Sequence, residues 1–214
     1  MSTQLCEQYR PKSWAEVIGQ SKILNKIAAL KHRGLGGRAY WISGQSGTGK
    51  TSIAWLLALE IADRFFIQEI DGGKVTVAAL EEIENSLALS AWGKGGRAFI
   101  INESHGLRRD IFRRLLVVLE RLPDHAMVIF TTTNEGQADL FDEQIDANPL
   151  LSRCVELSLA RRDLTAPFAK RCREIATKEG LNGRPIEDYV KLARKYQNNM
   201  RRMLQRIDEG EMLA

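Results

Sequence analysis

The sequence predicts an α/β protein, a parallel β-sheet with helices on both faces followed by a small three-helix bundle. Three features carry this expectation. Five short apolar runs alternate with segments of helical periodicity between residues 38 and 159. The runs are continuously apolar, the pattern of strands buried on both faces. After Leu159 the strand-like runs stop and three amphipathic segments follow one another. The boundary therefore falls near 160, with a nucleotide-binding domain over 1–160 and a helical domain over 161–214.

In chain order, RAYWISG (38–44) reads as a buried strand entering a glycine turn, and 50–62 as a largely buried helix. FFIQEID (65–71) is a second strand. Residues 76–89 form a helix with Val77, Leu80, Ile83 and Leu87 at helical spacing. RAFIIN (97–102) is a third strand, and 108–121 a helix whose Ile111, Leu115, Val118 and Leu119 share a face. AMVIFTTT (126–133) and CVELSL (154–159) complete the strands. The helical segments 163–179, 186–196 and 199–208 follow, punctuated by Asn182-Gly183 and Gln197-Asn198-Asn199.

GQSGTGKT, residues 44–51, fits the phosphate-loop pattern G-x-x-x-x-G-K-[ST]. Gly44, Gln45, Ser46, Gly47, Thr48 and Gly49 supply a backbone whose N–H groups can turn inward onto phosphate oxygens. Lys50 reaches the terminal phosphates and Thr51 offers a hydroxyl to Mg²⁺, so ATP with Mg²⁺ is the expected ligand. The helix that starts here adds its positive dipole end.

Such a site needs a second strand carrying acidic groups. AFIINESH (98–105) is the candidate. Glu103 is placed to orient or activate the attacking water. Asn102 faces the metal through an amide oxygen, a poorer Mg²⁺ ligand than a carboxylate because it brings no charge. The residues alone leave open whether hydrolysis survives. His105 reads as structural, and Trp92 as a cap on the sheet edge.

Bulk properties narrow the remaining classes. No run approaches 18 apolar residues, so no membrane span is expected, and the N-terminus lacks an apolar signal region. Cys6, Cys154 and Cys172 are too few and too scattered for a disulfide framework or a zinc site, which suggests a cytoplasmic setting. Charge is uneven. Residues 151–214 hold 14 Lys and Arg against 9 Asp and Glu, while 1–150 hold 17 against 18. A basic C-terminal third suits a polyanionic partner, or simply a solvated helix face. Arg108 and Arg109, then Arg113 and Arg114, open the helix after the acidic strand, where phosphates of DNA would be favoured. The alternative is a basic face turned to water or to a neighbouring subunit.

With these motifs in this order, the chain resembles the clamp-loader branch of the AAA+ ATPases, namely replication factor C small subunits and bacterial polymerase III gamma/tau-type subunits. The resemblance spans about residues 8–206. EQYRPKSWAEVIGQ (7–20) matches the family's N-terminal box, which implies that Tyr9, Arg10, Pro11, Val17 and Ile18 line the adenine pocket. EIDGG (69–73) resembles the family's turn after the second strand. LLSRCVEL (150–157) resembles the family's arginine-finger segment and implies that Arg153 reaches a neighbouring subunit's ATP. TTTNE (131–135) occupies the first sensor position, with Thr133 or Asn134 toward the γ-phosphate. NNMRRMLQRI (198–207) resembles the lid sensor, implying Arg201, with Arg202 as the alternative.

The chain departs from the family in four ways. Asn102 stands where the family has Asp, and the four-cysteine zinc module is absent. The chain ends at Ala214, just after the lid, where family members continue into a helical collar; a short form without the collar is expected. Residues 135–151 look long, with Asp139, Asp142, Glu143 and Asp146 making a solvated acidic loop and not a metal site. The resemblance implies a clamp-loader-like ATPase subunit that assembles with other AAA+ subunits, as a pentamer, to load a sliding clamp on primed DNA. The alternatives are an ATP-binding structural subunit with little hydrolysis of its own, or a helicase loader or other DNA-remodelling ATPase.

Overall fold

A computed structural model describes residues 4–89, 91–137 and 147–213. Five parallel strands, β1 (Arg38–Ser43), β2 (Ile67–Asp71), β3 (Arg97–Asn102), β4 (Ala126–Thr132) and β5 (Cys154–Ser158), form one sheet in the order β2-β3-β4-β1-β5. The P-loop therefore leaves a strand flanked on both sides, and β3 and β4 end beside it. Alternation sorts the side chains by face. Trp41, Phe99, Ile101, Val128 and Phe130 point into a core closed by α4 (Val77–Leu87) and α5 (Arg109–Glu120). Trp41 and Phe130 meet there at a centroid distance of 5.6 Å. The intervening Tyr40, Ile42, Ile100 and Ile129 are fully buried on the other face, and α3 (Lys50–Ile61) packs against β1, β3 and β4.

Contacts group the described residues into two units. One comprises 22–45 and 50–159 and holds the sheet; the other comprises 4–21, 46–49 and 160–213. In the second, α7 (Thr165–Lys178), α8 (Ile186–Lys195) and α9 (Met200–Asp208) bury Phe168, Cys172, Ile175, Tyr189, Leu204 and Ile207. The short α1 (Leu5–Gln8) adds Leu5 to that core. Gln20 binds both backbone groups of Ala160. Its Nε2 donates to the Ala160 carbonyl at 2.8 Å, and its Oε1 accepts from the Ala160 N–H at 3.1 Å.

Several elements differ from the expectation. Residues 64–66 form a 3-10 turn, so β2 begins at Ile67. A helix, α2 (Ser21–Lys31), follows the N-terminal box, with Ile23 and Ile27 buried. Part of the expected loop 135–151 is α6 (Ala147–Ser152), while Asp139, Asp142, Glu143 and Asp146 lie outside the described residues. Trp92 is 87% exposed and so does not cap the sheet edge. No helix among the described residues is long and apolar enough to cross a membrane.

Candidate functional site

The sheet unit brings the first turn of α3 and the ends of β3 and β4 together through one side chain, Asn102. Thr51, on the first turn of α3, donates from its hydroxyl to Asn102 Oδ1 at 3.4 Å. Thr131, near the end of β4, donates to the same oxygen at 2.8 Å. Asn102 Nδ2 donates to Glu69 Oε1 on β2. These partners fix the amide's orientation, because a flipped amide would set its oxygen against the Glu69 carboxylate and its NH₂ against two hydroxyls. The other Glu69 oxygen accepts from Trp55 Nε1 of α3 at 2.6 Å. Arg64 lies over the Trp55 ring at 5.4 Å.

Lys50 is buried, and its ammonium donates to the carbonyls of Gly44 (2.9 Å) and Gln45 (3.2 Å) at the mouth of the loop. Within the second contact unit, residues 46–49 meet the start of α9. The Met200 N–H donates to the Gly47 carbonyl at 3.4 Å. Asn199 is buried and caps α9 by accepting from the Arg202 N–H at 3.1 Å. Gly47 has φ +76, and a Cβ there would lie 2.1 Å from Asn199 Oδ1.

Glu103 follows Asn102 in a left-handed conformation, φ 49 and ψ 51. A non-glycine residue held there costs on the order of 1–3 kcal/mol, and such residues cluster at functional sites. The turn re-aims the chain so that Asn102 faces Thr51 while the Glu103 carboxylate, half-exposed, lies 3.6 Å from His105 Nδ1. His105 Nδ1 also lies 3.2 Å from Thr132 Oγ1. Ser104 is fully buried and its hydroxyl donates to the Ile101 carbonyl at 2.9 Å, pinning the turn from beneath.

The other expected site residues are placed as follows. The Thr133 hydroxyl accepts from the Gly136 N–H at 3.1 Å, and Asn134 is exposed. The Arg153 guanidinium is paired with Glu120 at the end of α5 and donates to the Pro149 carbonyl at 2.9 Å. Arg201 and Arg202 are exposed on the first turn of α9. Tyr9 and Ile18 pack on the helical core, with Val17 half-buried. The Tyr9 hydroxyl donates to Glu179 at 2.5 Å, and this bond to a carboxylate raises its pKa. Arg10 pairs with Glu7 at 2.8 Å, and Pro11 is half-buried. Arg108, just before α5, pairs with Asp110, and Arg114 of α5 pairs with Glu81 of α4.

Three residues that contact the site were not singled out from the sequence: Glu69, Thr131 and Asn199. Register places Glu69 opposite Ile100, so Asn102 is its diagonal neighbour on the same face. The strand itself gave little signal, because β2 (IQEID) carries three polar residues, Gln68, Glu69 and Asp71. Thr131 precedes Thr133 by two and lies within β4, on the face of Ile129. Its claim over Thr133 needed the length of β4, which ends at Thr132.

A five-stranded parallel sheet in this order, carrying a P-loop after β1, is the fold of the AAA+ P-loop proteins. Solved structures of RuvB from Thermotoga maritima share it. A variant chain superposes with TM-score 0.67 at 23% identity, covering 92% of this chain and 63% of that one. Another, described as a Holliday junction branch migration motor, gives 0.62 at 21% over 92% and 63%. At such identity the likeness establishes the fold alone.

Sequence relatives narrow the class. The DNA polymerase III subunit tau/gamma of Haemophilus influenzae is 30% identical over 96% of this chain and 32% of its own length. The tau subunit of Escherichia coli is 28% identical over 75% and 27%. The gamma subunit of Buchnera aphidicola from Acyrthosiphon pisum is 29% identical over 72% and 47%. No family model matches the chain. The chain has the AAA+ P-loop fold, and its homologues are the tau and gamma subunits of DNA polymerase III. It spans less than half the length of these three relatives.

Proposed function

We propose that the chain is a clamp-loader-like AAA+ ATPase subunit that binds ATP with Mg²⁺ and works in an oligomer on primed DNA and a sliding clamp. The observation that carries this reading is the convergence of Lys50, Thr51, Asn102, Thr131 and Glu103 where the loop of β1 meets the ends of β3 and β4. The donor set suits a magnesium–nucleotide pair. A buried ammonium stands at the loop mouth, α3 begins there with the positive end of its dipole, and two neutral oxygens, Thr51 Oγ1 and Asn102 Oδ1, lie side by side. Mg²⁺ keeps several waters in nucleotide sites and takes few protein ligands, so a sparse set is sufficient. When bound, the ion neutralises charge developing on the phosphates.

Each residue of the chain then has a task. Residues 44–49 hold phosphate oxygens through backbone N–H groups, and Lys50 moves its ammonium from loop carbonyls to phosphate. Thr51 and Asn102 face the metal. Glu103 orients the attacking water. Thr133 or Asn134 senses the γ-phosphate from β4, and Arg201 or Arg202 does so from the helical domain that we place after residue 160. Arg153 acts on a neighbouring subunit's nucleotide once it leaves Glu120. Tyr9, Arg10, Pro11, Val17 and Ile18 flank the base. Relatives named as polymerase III subunits support the replicative role, the oligomer and a cytoplasmic setting.

A second reading, an ATP-binding structural subunit that hydrolyses little, is favoured by Asn102 alone, because an amide brings no charge to the ion. Steady-state ATPase with Mg²⁺ and primed DNA separates the two. In the motor reading the wild type turns over, and Glu103→Gln lowers the rate at least a hundredfold while leaving ATP binding intact. A wild type that binds ATP but is inert favours the structural subunit, and one that binds no ATP ends both readings.

A further inference from the structure

We infer that His105 is the positioning residue of Glu103, holding the carboxylate that faces the attacking water and tying it to the end of β4. This rests on the motor reading above and gives a task to a side chain that the sequence alone reads as structural. The backbone of Glu103 is fixed from three sides. Its φ is left-handed, the Ser104 hydroxyl is bound to the Ile101 carbonyl, and a Cβ at Gly72 would lie 2.7 Å from the Glu103 carbonyl oxygen. The side chain is not fixed by the turn. It is half-exposed, and a glutamate left to water samples many rotamers. What stands beside it is His105, whose Nδ1 lies 3.6 Å from Glu103 Oε2 and 3.2 Å from Thr132 Oγ1.

These partners assign the hydrogen on the ring. The Thr132 hydroxyl donates to the Thr133 carbonyl at 3.2 Å, so its oxygen is left to accept, and a carboxylate only accepts. Nδ1 therefore carries a hydrogen and serves both oxygens. It steadies Oε2 of Glu103 and leaves the other carboxylate oxygen for a water. Thr132 ends β4 and precedes Thr133, so a shift of the strand end toward a γ-phosphate reaches Glu103 through one ring. The seat of the ring is itself built. Gly136 is buried in the helical turn 134–137, and a Cβ there would lie 2.4 Å from His105 Nδ1 and 2.6 Å from its Cγ. Glycine in a helical turn is less favourable than alanine, and here it makes room for the donor edge of the imidazole.

The test is steady-state ATPase of the whole chain with Mg²⁺ and primed DNA, read as kcat and KM, beside the affinity of a fluorescent ATP analogue. His105→Phe keeps a ring without the donor and is expected to lower kcat about ten- to a hundredfold, with KM and analogue affinity unchanged. His105→Asn places an amide N–H where Nδ1–H stood and is expected to stay within about threefold of the wild type. Gly136→Ala drives the ring from its seat and is expected to match His105→Phe. In a Glu103→Gln background none of the three is expected to change the residual rate, because the carboxylate they act through is gone. An active wild type whose kcat is unmoved by His105→Phe, or in which His105→Asn falls as far as His105→Phe, overturns the inference and leaves the motor reading standing. So does a loss in the Glu103→Gln background as large as in the wild type, since that marks a merely structural role. A wild type that binds ATP without turnover overturns the motor reading and this inference together.

Discussion

The Arg153 guanidinium is bound within its own chain, by the Glu120 carboxylate and the Pro149 carbonyl, yet its segment resembles one that serves a neighbour. The magnitudes allow both. An ion pair whose members are 35% and 54% exposed is worth about 0–1 kcal/mol, so little holds the arginine back. Glu120→Ala is therefore expected to change unfolding free energy by no more than about 1 kcal/mol in urea melts and to leave ATPase activity undiminished. Arg153→Ala is expected to lower activity by about a thousandfold in the assembled state, the scale of a trans-acting arginine. A loss of about 3 kcal/mol in Glu120→Ala would instead make the pair a structural clasp. At this scale the sequence was legible where chemistry sits in a contiguous motif, as in residues 44–51. It was not legible for Glu69, because a carboxylate's partner across a sheet depends on strand register, and register is a property of two strands at once.

Glycine 47 shows how an element can be fixed by a residue outside it. Its positive φ is unfavourable for any side chain, and the space a Cβ would take is filled by Asn199, which also caps α9. Gly47→Ala combines a backbone cost of about 1–3 kcal/mol with disturbance of a cap worth about 1 kcal/mol. A total loss of about 2–4 kcal/mol is expected in chemical denaturation. Gly34→Ala is the control, since Gly34 has φ +81 and a Cβ there would meet open space, and it should lose the backbone share only. Equal losses at the two positions would remove Asn199 from the account. The strands and the three C-terminal helices were legible because their apolar period states their faces; Leu80, Ile83, Leu115, Phe168 and Ile207 are all buried as the spacing requires. The ends were less so. Phe65 is 98% exposed, although it extends an apolar run toward β2, because the chain spends residues 64–66 on a 3-10 turn before joining the sheet.

Across the whole chain, each contact unit carries its own shielded thiol, half-buried Cys154 in one and buried Cys172 in the other, and that makes the units separately observable. Burial pushes Cys154 in the sheet unit and Cys172 in the helical unit up to about 12, and the Tyr40 hydroxyl likewise to about 12. The folded state thus holds protons that the unfolded chain releases near pH 9 for thiols and 10 for the phenol. Below pH 9 neither state is ionised at these groups and their contribution is complete. As pH rises from about 9 to 12 the unfolded state binds fewer protons than the native one, so stability falls over that window. Urea midpoints measured from pH 8 to 11 are expected to decline, and Cys172→Ala to flatten part of the decline. The same environments predict the order of alkylation at pH 8, with half-buried Cys6 modified first, half-buried Cys154 slowed by its raised thiol pKa, and buried Cys172 only as its unit opens. Following the last two thiols in mild urea then asks whether the chain opens as one body. Equal labelling rates mean a single cooperative unit, whereas Cys172 reacting well before Cys154 means that the helical unit opens first. Native-state labelling of all three at one rate would contradict the burial on which the pH window rests.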